Sequence, residues 1–141
     1  MKLLILLLPL YVIAAVSTIQ LYVKSDNKEI DGRPISIKLE QYPVYSIFIG
    51  DEPSYFSYDD VNHVIYYDNK VRFFLNVANN ILQLSPDPPL CVDILEDGKL
   101  LDGYGVKSIK DSQLYGGSDY GIWYGQNPPI DALPLSIYAY H

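Results

Sequence analysis

The stretch between positions 115 and 127 has the residue types best suited to binding chemistry. The chain contains 14 tyrosines and one tryptophan, and such flat, amphipathic rings can stack on sugar rings while their polar tips stay in water. Nearby glycines would admit a ligand to the backbone, and carboxylate and amide groups can hydrogen-bond sugar hydroxyls. The predicted carbohydrate-binding platform comprises Tyr115, Asp119, Tyr120, Trp123, Tyr124, Gln126 and Asn127. The alternative is that Tyr120, Trp123 and Tyr124 are ordinary strand residues, some of them in the core.

A second group combines carboxylates with aromatic residues, namely Asp51, Glu52, Asp59 and Asp60 around Tyr55, Phe56 and Tyr58. Two carboxyl groups about 5 to 9 Å apart across a cleft can hydrolyse a glycosidic bond, and clustered oxygens can bind calcium. Adjacent Asp59 and Asp60 on a turn point apart, and the alternating acidic pattern of a calcium loop is missing. We interpret these residues as solvated loop charge. The sequence predicts a protein without enzymatic activity, cofactor or metal ion, with a small glycan-active hydrolase as the alternative.

Cys91 is the single cysteine of the chain, so no internal disulfide can form. Because His63 and His141 are the only histidines, a zinc site of Cys and His ligands has no support. The apolar surroundings of Cys91 favour a buried thiol that acts as a small hydrophobic residue. The alternative is an intermolecular disulfide through Cys91.

The elements that must position these residues have the pattern of β-strands. Short runs of β-branched and aromatic residues recur about every eight to twelve residues, separated by Gly, Pro, Asn and Asp. The predicted strands are Ile19–Lys24, Ile35–Leu39, Tyr45–Ile49, Tyr55–Tyr58, Val64–Tyr67, Val71–Val77, Ile81–Leu84, Leu90–Leu95, Lys99–Leu101, Val106–Ile109, Ile122–Tyr124 and Leu135–Ala139. No amphipathic helical pattern competes with them.

The connections have the chemistry of tight turns. Asp-Gly and Asn-rich pairs supply residues that tolerate a positive φ, and they occur at Asp31–Gly32, Asp68–Asn69, Asn79–Asn80, Asp97–Gly98 and Asp102–Gly103. The turn at Asp97–Gly98, between two apolar runs, predicts a hairpin. Pro86, Pro88 and Pro89 predict an extended loop, because proline cannot donate a ladder hydrogen bond. We therefore expect a compact all-β domain of about twelve short strands, and favour a β-trefoil-like barrel over a two-sheet sandwich.

The amino-terminal segment is typical of a secretory signal peptide. Lys2 precedes the apolar run Leu3–Ala15, and small residues follow at the expected cleavage positions. The run is shorter than the roughly 20 residues that a membrane-spanning helix needs, so no span is expected in the mature chain. We predict a leader over residues 1–17 and a single domain over residues 18–141. The net charge of −7 at pH 7 argues against nucleic acid as a partner.

Three segments resemble proteins of the fungal cell surface. The segment CVDILEDGKLLDGYGVKSIKDSQLY, residues 91–115, is similar to the carboxy-terminal domain of yeast cell-wall mannoproteins of the internal-repeat type. The segments IQLYVKSDNKEIDGRPISI and SIFIGDEPSYFSYDD, residues 19–37 and 46–60, resemble the amino-terminal domains of small yeast surface proteins. The resemblance implies a secreted, cell-wall-associated fungal protein with a structural or interaction role. Its expected partners are wall polysaccharide or wall proteins, with a lectin-like carbohydrate-binding module as the alternative function.

Overall fold

A computed structural model describes residues 15–107 and 120–141, and these residues form ten β-strands and no helix. The strands are β1 (Val16–Lys24), β2 (Ile35–Gln41), β3 (Val44–Ile49), β4 (Phe56–Asp59), β5 (Val64–Asn69), β6 (Val71–Ala78), β7 (Ile81–Ser85), β8 (Lys99–Val106), β9 (Tyr120–Trp123) and β10 (Leu133–Tyr140). The all-β prediction is confirmed. Nothing in these two ranges is a helix long and apolar enough to cross a membrane.

The ten strands belong to one sheet, in which every pairing is antiparallel. Their order is β2-β3-β7-β6-β5-β4-β1-β10-β8-β9, and β9 also pairs with β3 and β7. The last strand in the order therefore returns to strands near its beginning. The trefoil-like arrangement stays a prediction.

Most predicted strands are present, but the predicted strand Leu90–Leu95 is wrong. This segment is extended without joining a ladder, and it makes isolated backbone hydrogen bonds, from Leu90 N to Leu75 O at 2.9 Å and from Val92 N to His63 O at 2.8 Å. It follows the proline-rich loop, and apolar composition alone does not supply a neighbouring strand with a matching register. The predicted strands Lys99–Leu101 and Val106–Ile109 are not separate over the described residues, because β8 runs through Lys99–Val106.

The predicted turns divide into three outcomes. Asn79 and Asn80 have φ values of 52° and 66° and close the β6–β7 hairpin, as expected. A turn at Asp97–Gly98 is present, with Gly98 at φ 94°, but no strand precedes it, so the expected hairpin is wrong. The turn at Asp102–Gly103 is also wrong, because both residues lie inside β8. Glycine is needed there for close approach, since a Cβ at Gly103 would lie 2.7 Å from the Trp123 carbonyl oxygen.

On β1 and β10 the core-facing residues follow the two-residue alternation of β structure. On β1, Leu21 and Val23 are buried, and on β10, Leu135 and Ile137 are buried. The largest fully buried side chains are Phe56 and Phe73. The residues between the buried positions of β1, β8 and β10 therefore face outward, where they line the candidate site.

Candidate functional site

An open groove of about 1430 Å³ crosses the outward face of β1, β10 and β8. On β10 the buried Ile137 lies between the lining residues Ser136 and Tyr138, so the two-residue alternation of the strand directs these two side chains into the groove. Five tyrosines line it, namely Tyr22, Tyr104, Tyr124, Tyr138 and Tyr140. The sheet thus gathers aromatic residues that are far apart in the sequence.

Three tyrosines form one end of the groove. Tyr22 of β1 lies opposite Tyr138 of β10, and its ring meets Tyr140 edge-on, with centroids 5.1 Å apart and planes at 86°. The Tyr22 hydroxyl donates to Oε1 of Gln20 at 3.2 Å, and Lys24 Nζ lies 4.0 Å from the centre of the Tyr138 ring. Edge-to-face and cation–π contacts hold these rings in defined orientations.

A polar row crosses the middle of the groove. Lys24, Ser136 and Asp102 are in register across β1, β10 and β8. The Ser136 hydroxyl donates to Asp102 Oδ1 at 2.5 Å, and Lys99 Nζ lies 2.9 Å from the same oxygen. These two hydrogen bonds lower the pKa of Asp102 below its ordinary value, so the group is a carboxylate at neutral pH. Its side chain is 68% exposed and can accept further hydrogen bonds.

The other end of the groove is built by β8, the residues after β9 and a loop. Tyr104 of β8 is in register with Pro134 on one side and Trp123 on the other, and Tyr124 and Gly125 continue the wall. The loop after β1 is tethered here, because the Ser25 hydroxyl donates to the Pro134 carbonyl oxygen at 2.7 Å.

The predicted platform between positions 115 and 127 is only partly gathered at this groove. Tyr115 and Asp119 lie outside the described residues. Tyr120 is only 5% exposed, so its ring is not available for a ligand to stack on. For this residue the alternative interpretation, a strand residue in the core, agrees with the structure. Tyr124 lines the groove. Trp123 is half-buried and donates from Nε1 to the Gln126 carbonyl oxygen at 3.3 Å, while Gln126 and Asn127 are exposed beside it.

Tyr120 has a structural contact instead. Its hydroxyl donates to Glu29 Oε2, and this hydrogen bond, together with burial, raises the pKa of Tyr120 to about 12. The bond joins the start of β9 to the loop after β1, which also forms part of the groove wall.

Alkaline pH should weaken the fold through Tyr120. A folded-state pKa of about 12, against an ordinary value of 10.0, means that the stabilisation is complete below about pH 10 and is lost as the pH rises toward 12. We expect the midpoint of thermal unfolding to fall across this interval, and to fall less in the Tyr120→Phe variant, which has no proton to lose. An equal fall of the thermal midpoint in the unmodified protein and in Tyr120→Phe would contradict the assignment of this pH dependence to Tyr120.

Among the carboxylates near Tyr55, Asp59 has a role different from the one expected. Asp59 is 8% exposed, and its carboxylate accepts from Val61 N at 2.9 Å, Asn62 N at 3.0 Å and Asn62 Nδ2 at 2.8 Å. The hydrogen bonds from Asn62 are the main cause of its lowered pKa. The interpretation of Asp59 as solvated loop charge is therefore wrong, because its carboxylate organises the β4–β5 turn. Asp51, Glu52 and Asp60 are exposed.

Cys91 is exposed, so its interpretation as a buried thiol is wrong. In the extended segment around it, Val92 points into the core at 6% exposure while Cys91 and Asp93 on either side are exposed. The apolar run thus buries alternate residues, and Cys91 falls on the outer side. Within residues 15–107 and 120–141, no cluster of three or more His, Cys, Asp or Glu side chains could hold a metal ion.

Sequence reasoning missed most of the groove. Tyr22, Tyr104, Tyr138 and Tyr140 were assigned no binding role, because they are spread over three strands. The alternation in Leu135–Tyr140, which places Ser136, Tyr138 and Tyr140 on one face, is the signal that identifies a polar and aromatic face.

Two curated proteins are similar to most of the chain. Cell wall protein RHD3 of Candida albicans is 29% identical over an alignment of 138 residues, which covers 90% of this chain and 67% of that protein. Cell wall protein PGA31 of the same organism is 32% identical over 140 residues, which covers 90% of this chain and 47% of that protein. The chain therefore spans about two thirds of one relative and about half of the other. No protein-family model and no solved structure matches it.

Proposed function

We propose that this chain, a homologue of fungal cell-wall proteins, serves in the wall with a structural and interaction role and catalyses no reaction. The two relatives support the family and the secreted, cell-wall-associated localisation expected from the sequence. The role itself is our proposal, as is the division into a leader over residues 1–17 and one domain over residues 18–141.

The groove on β1, β10 and β8 carries the proposal. It is open, lined by five tyrosines and crossed by a polar row, which suits binding of a wall component. Asp102 is not suited to be the general acid of glycosidic hydrolysis, since that role needs a raised pKa. Asp102 has the opposite shift, because Ser136 and Lys99 both stabilise its ionised form.

Two modes of retention in the wall follow from the surface. The groove can hold the protein without a covalent bond, and the exposed thiol of Cys91 can form a disulfide with a wall protein. We favour the groove, because it presents several fixed side chains whereas Cys91 is a single group.

Fractionation of cells that make the tagged full chain tests the proposed function. We expect the protein in the wall fraction, released by hot detergent without reductant, with the same distribution for the Cys91→Ser variant. Release only after reduction, and loss of retention in Cys91→Ser, would replace the groove by a disulfide as the attachment. Recovery of the protein in the cytosol would contradict a role in the wall altogether.

A further inference from the structure

We infer that the groove binds an uncharged polysaccharide chain, which lies along β10 with its sugar rings against the tyrosines and its hydroxyls at Asp102. This inference rests on the proposed function, because it names the wall component that the groove would hold.

The dimensions of the groove fit a chain better than a single sugar. The lining residues of β10 run from Pro134 to Tyr140, which at about 3.3 Å per residue is roughly 20 Å. The volume of about 1430 Å³ exceeds the roughly 300 to 1,000 Å³ of pockets that enclose a small molecule. An extended ligand can therefore contact both ends of the groove at once.

The arrangement of side chains matches the alternating chemistry of a sugar chain. Tyr22, Tyr138 and Tyr140 at one end and Tyr104 and Tyr124 at the other supply rings for the apolar faces of sugars. Hydroxyl groups of the intervening sugar meet the polar row between these ends.

The polar row has a defined acceptor for those hydroxyls. Ser136 and Lys99 both contact Oδ1 of Asp102, whose side chain is 68% exposed. A carboxylate oxygen accepts strong hydrogen bonds from hydroxyl donors. Asp102 is thus oriented by its neighbours and still has capacity for a ligand.

Charge selects against an anionic chain. Three carboxylates, those of Asp26, Asp31 and Asp102, line the groove beside the single lysine Lys24, and the protein as a whole has a net charge of −7 at pH 7. Lys24 lies over the Tyr138 ring, and the nearby Lys99 is paired with Asp102. A polyanion would meet net repulsion, whereas an uncharged polysaccharide would not.

Binding of the purified full chain to insoluble polysaccharides tests the inference. The probes are insoluble β-1,3-glucan and chitin, which are uncharged, with immobilised heparin as a polyanion and chitosan as a polycation. We expect binding to at least one uncharged probe. The affinity for it should fall about tenfold in Tyr138→Ala and in Tyr140→Ala, as expected when one ring contact is lost.

Tyr55→Ala is the matched control, because Tyr55 is 61% exposed and is not part of the groove lining. Circular dichroism establishes that each variant is folded, and Tyr140, which is 54% exposed, provides a second test if Tyr138→Ala does not fold. No binding to either uncharged probe, binding only to heparin or chitosan, or equal losses in Tyr55→Ala and Tyr140→Ala would overturn the inference.

The outcomes separate this inference from the proposed function. If the protein is retained in the wall but the purified chain binds no uncharged polysaccharide, the inference fails and the wall role stands, with a wall protein as the partner. If the protein is recovered in the cytosol, the proposed function fails whatever the purified chain binds.

Discussion

The Phe73→Ala variant is expected to lose about 3 to 5 kcal/mol of unfolding free energy, the range found when a buried phenylalanine is removed. Phe73 is 0% exposed, and its ring centroid lies 4.9 Å from that of Tyr45 and 6.1 Å from that of Tyr42. Equilibrium unfolding in urea measures the change. Since domains are stable by only about 5 to 15 kcal/mol, the variant should be close to unfolding at ambient temperature.

Phe74→Ala is the control for this prediction. Phe74 is the next residue on β6, is only partly buried, and meets Tyr66 edge-on at 6.4 Å. Its removal should cost markedly less, because water already reaches part of the ring. Equal losses in the two variants would show that burial on the inner face of β6 is not what stabilises the sheet. Core packing is important for this protein because a chain with a single cysteine has no internal disulfide to compensate for a weakened core.

The Asn76→Asp variant is expected to lose more than about 3 kcal/mol at pH 7, since it places an ionised group among buried acceptors. Asn76 is 5% exposed. Its Nδ2 donates to Ser85 Oγ at 2.8 Å, Asp87 O at 3.3 Å and Ser85 O at 3.4 Å, while its Oδ1 accepts from Gln83 at 3.1 Å. A carboxylate retains the last contact and can accept from the Ser85 hydroxyl, but it faces the carbonyl oxygens of Ser85 and Asp87 without a proton to donate.

The loss should depend on pH in a defined direction. Burial among acceptors raises the folded-state pKa of the introduced carboxyl above its unfolded value. The penalty is therefore small below the unfolded pKa, about 3.9, and grows as the pH rises through the folded pKa. Urea unfolding at acidic and neutral pH measures it, with Asn79→Asp on the exposed turn as the control for added charge. A loss that does not change with pH would contradict this account of the network.

The strands were predictable because their alternation of apolar and polar residues is local, but their partners were not. Ile35, Ile37 and Leu39 have the same pattern in the sequence, yet their exposure rises along β2, from 0% at Ile35 to 49% at Leu39. β2 begins the strand order, and its far end has no core to cover. Asp102–Gly103 has the composition of a turn, whereas the glycine serves the close approach of β9. Both outcomes depend on neighbours that are remote in the sequence.

The sequence predicted the residue types of the candidate site better than it predicted where the site lies in the fold. Aromatic rings beside carboxylate and hydroxyl groups were expected, and the groove contains them. Residues 115–127 were predicted to bind a ligand because tyrosines are dense there. In a β-sheet, however, the density of tyrosines along the chain does not predict which tyrosines are neighbours in space. Tyr22 and Tyr138 are brought together by the β1–β10 register, which no local pattern specifies. Among the platform residues that the structure describes, only Tyr124 also lines the groove.

The position of β10 between β1 and β8 sets an order of events for the folding chain. Gln20 pairs with Tyr140, so contacts between nearly opposite ends of the sequence must form before the sheet is complete, and such distant contacts form slowly. While the chain is being synthesised, β1 can pair with β4 on one side, but its other side has no partner until β10 has been made. The groove, which needs both β1 and β10, is therefore complete only after β10 has paired with β1. A truncated chain that ends before β10 would lack the groove that we propose for retention in the wall.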